Sequence, residues 1–476
     1  MNSGRQADHV TTAERYPRVL IVGYNFDLVT GGGITLSNLF DGWPRERLAV
    51  ADFHPCETNP ALCARQYILG ADEERWVWPV RALRRGNRRP SIPDRDLTMP
   101  RVSKTAAAPP VTRVPTASSV ARAAAFSTVR WLGGVGVLCS LATSSGLLRW
   151  SADVRPDLIY TWLNSLAMIR LVTQLADALS LPIALHIMDD WPSIAFESGL
   201  LAPRFRAETD RSFRAIVARA SGTLAISQRM AQVYEARYGQ RWEVFHNPVD
   251  IPRWARARRA SWSRSGTFKI VYAGRVGLGI GPSLVDVCRA VQTLRQRGLD
   301  LALEIFTPSE PAARAYALAS FDGVAVHSAI PDDDIPAVLA RADLLVLPYD
   351  FAGKAAAFAC LSYPTKAPAY MATGVPTLVY APEEHALALD ARDRGWAWVV
   401  DKPGAEGLLV AIERLAGDED LRRSLAQRAF ATCEREHDVR VVRERFRDAL
   451  ERAAHAAPRS GTATDTAVTS SVDGAD

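Results

Sequence analysis

Cysteine is scarce in this chain, and no two cysteines form a C-x-x-C pair or lie beside a cluster of histidines. The sequence therefore gives no sign of a disulfide framework or a zinc site, and we expect no bound metal. A reduced, cytoplasmic compartment is the simplest expectation. The six cysteines are Cys56, Cys63, Cys139, Cys288, Cys360 and Cys433.

The N-terminus lacks an apolar run. Residues 1–17 contain no segment of the kind that a signal peptide needs, and we expect residues 1–14 to be disordered. Residues 131–148 are uncharged over a length that could cross a membrane. Their four glycines and four serines or threonines lower the apolar density, so we expect a buried or membrane-touching helix pair, with a single span as the alternative.

Acidic residues are rare or absent in two basic segments. Residues 81–130 hold eleven arginines and lysines against two aspartates, and residues 251–266 hold five arginines, two tryptophans and no acid. Basic residues mixed with tryptophan favour an anionic membrane surface, which predicts a peripheral contact at the inner face of the membrane. A solvated, arginine-rich linker is the alternative. Nucleic acid would tolerate the same charges but is not the expected partner.

Acids are also absent from residues 361–382, whose pattern predicts a helix followed by a buried strand. Pro364 suits the first helical position, where its missing N–H costs nothing. Lys366 then falls in the first turn, where the helix dipole disfavours a cation unless an anion docks there. The pattern predicts a phosphate site formed by Lys366 and free backbone amides, with a solvated lysine at an ordinary helix start as the alternative.

Short apolar runs alternate with helical segments along most of the chain. Residues 18–23 are typical of a buried parallel strand and lead to three consecutive glycines, while residues 268–273 lead to a second glycine loop. This rhythm predicts an α/β fold of two Rossmann-like units with a ligand in the cleft between them. The glycine triplet lacks the G-x-G-x-x-G spacing and is only a weak sign of a dinucleotide.

Six motifs follow one another between about residues 18 and 454. They are GGGITLSNLF, LHIMDDWP, AISQRMAQVYEARYG with HNPVD, YAGRVGLG, AIPDDDIPAVLARADLLVLPY and SYPTKAPAYMATGVPTLVYAP. In this order they resemble the motifs of nucleotide-sugar-dependent glycosyltransferases of the GT-B fold, close to the large retaining family 4. Each motif is weak alone, but the ordered set is specific. Residues 81–148 and the C-terminal tail fall outside the resemblance.

The resemblance implies two Rossmann-like domains that face each other across a cleft, with a C-terminal helix that returns to the N-terminal domain. A UDP-, GDP- or dTDP-sugar would lie against the C-terminal domain as co-substrate. A glycan or lipid-linked acceptor would enter from the N-terminal domain. Enzymes of this kind need no bound metal or other cofactor, because fixed positive charge stabilises the leaving diphosphate.

The same resemblance implies a set of site residues. Arg275 matches the family's diphosphate-binding arginine, and Lys366 is expected to reach the same phosphates. His186 matches an active-site histidine that contacts the donor sugar, and we expect it at a strand end facing the cleft. A surface arginine and a core histidine are the alternatives. The predicted catalytic set is His186, Arg275 and Lys366. The predicted diphosphate site comprises Gly31, Gly32, Gly33, Gly274, Arg275, Thr365 and Lys366.

Two acids follow the strand predicted at residues 182–188. Asp189 and Asp190 resemble the metal-binding D-x-D pair of the other glycosyltransferase fold, but their spacing differs. We expect them, with the adjacent Trp191, to contact the acceptor or the sugar, or to cap a helix.

The sequence also departs from the family pattern. Leu361 and Ala369 occupy the positions of two family glutamates, the second of which binds the nucleotide ribose, and Ile280 occupies the position of a frequent lysine. Loss of the ribose acceptor removes a charge-assisted hydrogen bond of about 1.5–3 kcal/mol. These departures bear on the donor's identity and on activity.

The predicted organisation assigns each segment a place in this fold. An acceptor domain at 15–247 carries an irregular insertion at about 81–130, and a basic linker at 248–266 leads to a nucleotide-sugar domain at 267–436. The returning helix spans 437–457, and a disordered tail spans 458–476.

Three functional hypotheses follow. The first is a cytoplasmic, membrane-peripheral glycosyltransferase of bacterial polysaccharide or glycolipid synthesis. The second is a non-catalytic relative of the same fold that serves as a binding or assembly partner, since Ala369 replaces a glutamate. The third is a GT-B epimerase of UDP-sugars, which needs carboxylates and a histidine around the sugar.

Overall fold

The structure, a computed structural model, describes residues 16–457 except 57–58, 60, 79, 84–88, 95–137, 265 and 278. The disorder predicted for residues 1–14 and 458–476 lies outside the described residues, as does most of the insertion predicted at 81–130. The exact domain limits therefore stay a proposal from the sequence.

Two parallel sheets form the centres of two domains. The strands of the first are β1 Val19–Val22, β2 Leu48–Asp52, β3 Arg65–Ile68, β6 Leu158–Thr161, β7 Ile183–Ile187, β8 Gly222–Ala225 and β9 Glu243–Val244. Those of the second are β10 Phe268–Ala273, β11 Leu301–Phe306, β12 Val324–His327, β13 Leu344–Pro348, β14 Thr377–Tyr380 and β15 Ala397–Val400. A separate antiparallel pair consists of β4 Glu74–Trp76 and β5 Cys139–Leu141.

The order of the strands places both glycine loops at the centres of their sheets. The first sheet has the order β3-β2-β1-β6-β7-β8-β9 and the second β12-β11-β10-β13-β14-β15. The order reverses beside β1 and beside β10, and ligands of open α/β sheets bind at such switch points. The two-domain α/β architecture expected from the sequence is confirmed.

Helices cover both sheets, because strands such as β1 and β13 are buried along their whole length and need apolar cover on two faces. In the N-terminal domain they span Gly31–Phe40, Val80–Leu83, Ser145–Val154, Leu166–Leu179, Trp191–Ile194, Ala202–Arg219, Gln228–Tyr238 and Ile251–Ala255. In the C-terminal domain they span Gly281–Gln296, Glu310–Ala315, Ile335–Ala340, Lys354–Ala359, Lys366–Ala372, Ala386–Arg394, Ala405–Gly417 and Glu419–Glu436. The last helix is Val439–His455.

The chain crosses between the domains twice, and the two crossings hydrogen-bond to each other. The Val249 N–H donates to the His437 carbonyl at 2.8 Å, and the Val439 N–H donates to the Val249 carbonyl at 2.9 Å. The helix Val439–His455 then packs on the N-terminal domain through Phe446, whose ring contacts that of Phe40 at 5.1 Å. The predicted return of the C-terminal helix is confirmed.

Residues 258–262 of the basic segment at 251–266 are engaged with the C-terminal domain. The Arg259 guanidinium binds the Asp343 carboxylate at 2.7 Å, and the Arg258 guanidinium lies 3.4 Å from the ring centre of Phe430. Trp262 donates its indole N–H to a backbone carbonyl at 2.9 Å. These contacts occupy groups that the sequence assigned to a membrane surface, so the described part of this segment adds no support to that contact.

The prediction of a helix pair at 131–148 is wrong for residues 138–148, the part that the structure describes. Residues 139–141 form a strand, β5, that pairs with β4, and a helix begins only at Ser145. Among the described residues, no helix combines the length and apolar character needed to span a membrane.

Candidate active site

A cavity of about 650 Å³, the central cavity, opens between the two domains. Its N-terminal wall is the start of the helix Gly31–Phe40, and its C-terminal wall is formed by the loop after β10 and the helix Lys366–Ala372. The lining residues include Val29, Gly31, Asn247, Trp254, Gly274, Arg275, Phe306, Thr365, Lys366, Ala369 and Tyr370. The cavity thus lies at the carboxyl edge of the sheets, where a ligand is expected.

Lys366 projects from the first turn of its helix toward the glycine loop after β10. Its ammonium donates a hydrogen bond to the Tyr272 hydroxyl at 3.0 Å and lies 4.3 Å from the centre of that ring. A Cβ at Gly274 would come within 2.3 Å of Lys366 Nζ, and the backbone φ of Gly274 is +152°. The backbone conformation therefore favours glycine at position 274, and a side chain there would displace the Lys366 ammonium.

The Lys366 ammonium has no carboxylate partner among the described residues, although its side chain is half-buried. Burial lowers the pKa of Lys366 to about 7. A cation that is partly removed from water without a counter-charge costs free energy, which a bound anion would offset.

Arg275 lies in the same loop and is exposed. Its guanidinium donates to the Val29 carbonyl of the N-terminal domain at 3.1 Å, and its own carbonyl accepts from the Tyr272 hydroxyl at 2.5 Å. Tyr272 thus accepts from Lys366 while it donates to Arg275. The structure brings the two predicted cations to one wall of the central cavity.

The three consecutive glycines have three different environments. Gly31 lines the cavity, with its missing side chain facing the Thr365 methyl group, 3.7 Å from where a Cβ would stand. A Cβ at Gly32 would come within 2.0 Å of the Trp162 ring, and one at Gly33 within 2.1 Å of the Asp27 carboxylate. Side chains of the same domain therefore cover Gly32 and Gly33.

Asp27, in the same domain, accepts hydrogen bonds from groups just before the helix Gly31–Phe40. Its carboxylate accepts from the Thr30 N–H at 2.5 Å, the Val29 N–H at 2.8 Å and the Thr30 hydroxyl at 2.8 Å. The Asp27 carboxylate thus already supplies the negative charge that is favourable at a helix N-terminus. Contact of Gly32 and Gly33 with a diphosphate stays a prediction, and Gly31 is the member of the triplet in the cavity wall.

His186 is completely buried in β7 and does not reach the cavity. The Phe245 carbonyl lies 3.1 Å from Nε2, and the Tyr160 hydroxyl lies 2.6 Å from Nδ1. Because a carbonyl only accepts, Nε2 carries the ring proton and Nδ1 accepts from Tyr160. Burial lowers the pKa of His186 to about 3. The expectation that His186 faces the cleft is not met; its catalytic role stays a prediction.

Asp189, Asp190 and Trp191 follow β7, but they differ in environment. Asp190 is buried and accepts from the Tyr234 hydroxyl at 2.8 Å and from Arg237 at 3.0 Å. Trp191 packs edge-on against Phe213 in the core. Asp189 remains half-buried at the interface between the domains.

Residues 361–366, here termed the bridging segment, connect the two domains around the cavity. The Leu361 carbonyl accepts from the Ser227 hydroxyl of the N-terminal domain at 2.7 Å, and the Thr365 carbonyl accepts from the Asn247 amide at 3.1 Å. The Leu361 side chain is buried in the core, whereas Ala369, one helical turn after Lys366, lines the cavity. Neither family glutamate position supplies a carboxylate.

Several residues of the cavity region carried no signal in the sequence. Tyr272 lies within β10, and Tyr24, Trp162 and Tyr349 follow buried strands, where aromatic residues are ordinary core residues. Asn247 lies in the HNPVD motif, which indicates only a break in the chain. Among the described residues, no group of three or more histidine, cysteine, aspartate and glutamate side chains is arranged to hold a metal ion.

Two parallel-sheet domains, a cationic cavity between them and a returning C-terminal helix together define the GT-B architecture. No protein-family model and no curated protein matches the chain. Solved structures of glycosyltransferases do match, and at their low identity the likeness shows the fold.

The matches cover most of this chain. The structure of Anabaena Alr3699/HepE in complex with UDP and glucose matches with a TM-score of 0.55 at 13% identity, over 91% of this chain and 99% of that one. Sucrose-phosphate synthase from Thermosynechococcus elongatus matches at 0.55 and 12%, over 90% and 96%. A glycosyltransferase from Rickettsia africae matches at 0.53 and 10%, over 91% and 99%.

Proposed function

We propose that this protein is a glycosyltransferase that moves a sugar from a nucleoside-diphosphate donor, bound in the central cavity, to a glycan or lipid-linked acceptor. The observation that carries the proposal is the convergence of Lys366 and Arg275 on one cavity wall, with no carboxylate paired to Lys366 among the described residues. A diphosphate is the ligand whose charge fits two neighbouring cations. The UDP and UDP-glucose complexes of Anabaena Alr3699/HepE, which has the same fold, add support.

The chemistry assigned to the two cations is electrostatic. As the bond between the sugar and the diphosphate breaks, negative charge grows on the leaving phosphate oxygens. Lys366 and Arg275 are already positioned on the cavity wall, so they stabilise this charge without reorganisation. Loss of one such group typically costs about 10²–10³ in kcat.

The finer parts of the proposal come from the resemblance of the sequence motifs. They are a place in bacterial envelope polysaccharide or glycolipid synthesis, retention of the anomeric configuration, independence from metals and a cytoplasmic location with peripheral membrane contact. The donor base is one of the UDP, GDP and dTDP series.

The proposal is tested by thermal shift with UDP, GDP and dTDP on the full chain. We expect at least one nucleotide to raise the melting temperature of the wild type. Lys366→Met, which keeps the aliphatic stem, and Arg275→Ala should each weaken the affinity about 10- to 100-fold, because each loses a charge-assisted hydrogen bond. Lys402→Ala and Arg297→Ala, which alter exposed cations outside the cavity, are the matched controls.

Absence of any shift at millimolar nucleotide would contradict the proposal. So would equal losses in the control variants. A positive result leads to turnover assays with membrane and glycan extracts as acceptors.

A second candidate function is donor binding without transfer, favoured by the missing carboxylates at Leu361 and Ala369. It predicts the same thermal shift but neither donor hydrolysis nor transfer with any acceptor. The epimerase hypothesis needs a histidine near the sugar, and His186 is buried away from the cavity. Epimerised UDP-sugar in the same assays would support it.

A further inference from the structure

Asp189 and Asp190 are adjacent in sequence but differ in the charges around them. The Asp190 carboxylate receives hydrogen bonds from Tyr234, Arg237 and Ser193, so its charge is compensated. Asp189 receives one hydrogen bond, from the Ser362 hydroxyl at 2.7 Å, and that bond ends on Oδ1. Among the described residues no cation pairs with Asp189, and its second oxygen has no hydrogen-bond donor.

A half-buried carboxylate without a cationic partner is energetically unfavourable. Removing an unpaired charge from water is unfavourable unless other hydrogen bonds replace the lost water, and Asp189 is half-buried. Burial raises the pKa of Asp189 to about 6, and the bond from Ser362 only partly opposes this. An unpaired carboxylate of this kind at a domain interface is typical of a ligand contact.

Groups suited to a sugar surround Asp189. Tyr24 and Trp162 follow β1 and β6, which precede β7 in the strand order β1-β6-β7, and their ring centres lie 4.1 Å apart. Tyr349 follows β13 in the other domain, and the charge of Asp189 adds to the effect of burial in raising the pKa of its phenol, which places Asp189 near it. Burial raises the pKa of Tyr24 to about 12, and the charges of Asp27 and Asp189 add to this, which places Asp189 near the phenol. Aromatic rings and acceptor oxygens together are a usual lining for a polyhydroxylated ring.

The bridging segment runs over a short distance from Asp189 to the wall of the central cavity, where the diphosphate is proposed to bind. Ser362 contacts Asp189, and Thr365, three residues later, faces Gly31 in the wall of the central cavity. Three residues of chain span at most about 10 Å. Asp189 itself is not among the residues that line the central cavity. A sugar attached to a diphosphate at Lys366 would reach Asp189 by extending past Thr365 along the bridging segment.

We infer that Asp189 is a specificity-determining residue that accepts a hydrogen bond from a hydroxyl of the transferred sugar. This inference rests on the proposed function and deepens it. Leu361, at the first family glutamate position, is buried and cannot supply a carboxylate, so the N-terminal domain supplies it from across the interface. Ser362 holds one oxygen of Asp189 in place and leaves the other for the sugar.

Isothermal titration of the full chain separates the sugar contact from the diphosphate contact. The probes are UDP and a panel of UDP-glucose, UDP-galactose and UDP-N-acetylglucosamine, or the corresponding GDP or dTDP series if that base gives the larger thermal shift. For Asp189→Asn we expect UDP affinity within about twofold of wild type and a loss of about tenfold or more for the sugar that wild type prefers. Asp420→Asn, which alters an exposed carboxylate, should change neither.

Donor analogues that each lack one sugar hydroxyl identify the contact itself. Wild type should lose about tenfold in affinity for one analogue, and Asp189→Asn should bind that analogue and the parent sugar equally, as a double-mutant cycle requires for a direct contact. A structural role for Asp189 would instead weaken binding of all analogues alike. Ser362→Ala, which frees the carboxylate to rotate, should reduce the discrimination without changing UDP affinity.

Four results would overturn the inference: no sugar adds affinity in the wild type, Asp189→Asn weakens UDP and UDP-sugar equally, it weakens neither, or every analogue retains its discrimination in the variant. Failure of the proposed function is distinguishable, because then no nucleoside diphosphate binds the wild type at all, and this inference falls with it. Removal of an unpaired charge should leave Asp189→Asn at least as stable as wild type, which a melting curve checks.

Discussion

Lys366 and Asp189 are half-buried at the domain interface, and neither has a partner of opposite sign among the described residues. Other ionic groups nearby are compensated, such as Asp190 by Arg237 and Asp27 by backbone amides. A folded chain keeps an uncompensated charge only where something else gains from it, and a ligand that carries both phosphate and hydroxyl groups would compensate both.

The depressed pKa of Lys366 makes a prediction about pH. Burial lowers this pKa to about 7 in the free protein, and a bound diphosphate would raise it again. Below about pH 7 the ammonium is already charged, so affinity does not depend on this group. Above about pH 7 binding must take up a proton, so affinity should fall by up to about tenfold per pH unit. Titration calorimetry between about pH 7 and pH 9 measures this slope.

Lys366→Arg is the matched control for that slope, because the guanidinium stays charged over the whole range. Its affinity should vary little with pH. A wild-type affinity that stays constant between about pH 7 and pH 9 would show either that Lys366 keeps its charge in the free protein or that it does not contact the diphosphate.

At the residue scale, the sequence predicted some site residues and could not predict others. Lys366 stands out because a cation is unusual in the first turn of a helix, and the structure places it in the first turn of the helix Lys366–Ala372. His186 was expected to face the cleft, but it lies within β7, and its ring is held in the core between Tyr160 and Phe245. Successive side chains of a strand point to opposite faces of the sheet, and the sequence does not show which of these faces is covered by another element.

At the scale of elements, the central helix Lys366–Ala372 presents Lys366 and Ala369 to the same cavity, since positions three apart share a helix face. The resemblance puts a ribose-binding glutamate at position 369. Without that carboxylate, the cavity near Ala369 is lined largely by apolar groups such as Trp254, Phe306 and Tyr370.

Restoring the carboxylate should therefore strengthen nucleotide binding. We expect Ala369→Glu to raise affinity for the bound nucleoside diphosphate about tenfold through a hydrogen bond to a ribose hydroxyl. Titration calorimetry measures the gain, and Ala369→Gln is the uncharged control of the same size. A dideoxyribose nucleotide should show no gain. Unchanged or weaker binding by Ala369→Glu would mean that the ribose does not lie at this position.

The strands and helices could be predicted from the sequence with different accuracy. Strands with continuous apolar runs, such as β1 and β10, were predicted within about a residue, because burial on both faces leaves a clear pattern. The strand β5 was mistaken for a helix. It is three residues long and pairs with a distant segment, so its conformation is set by tertiary pairing rather than by local pattern.

At the scale of the whole molecule, the helix Val439–His455 joins the end of the chain to the first domain. Phe446 is completely buried, and its ring makes edge contacts with Phe40, Tyr160 and Phe245. His186 lies in the same part of the core, beside Tyr160 and Phe245. The helix thus covers one face of the first sheet.

Phe446→Ala should therefore destabilise the N-terminal domain. Deletion of a buried phenylalanine side chain costs about 3–5 kcal/mol, because it removes apolar contact and leaves a cavity. Denaturant unfolding followed by circular dichroism measures the change. Val441→Ala, at an exposed position of the same helix, should change stability by less than about 0.5 kcal/mol. Equal effects of the two variants would show that the helix does not stabilise the sheet.

The bridging segment has a consequence for how the two lobes move. Within six consecutive residues it contacts Ser227, Asp189 and Asn247 on one lobe and ends at Lys366 on the other. A rotation that opens the cleft would have to break these contacts. A ligand bound at Lys366 would therefore act on the same six residues that hold the two domains together.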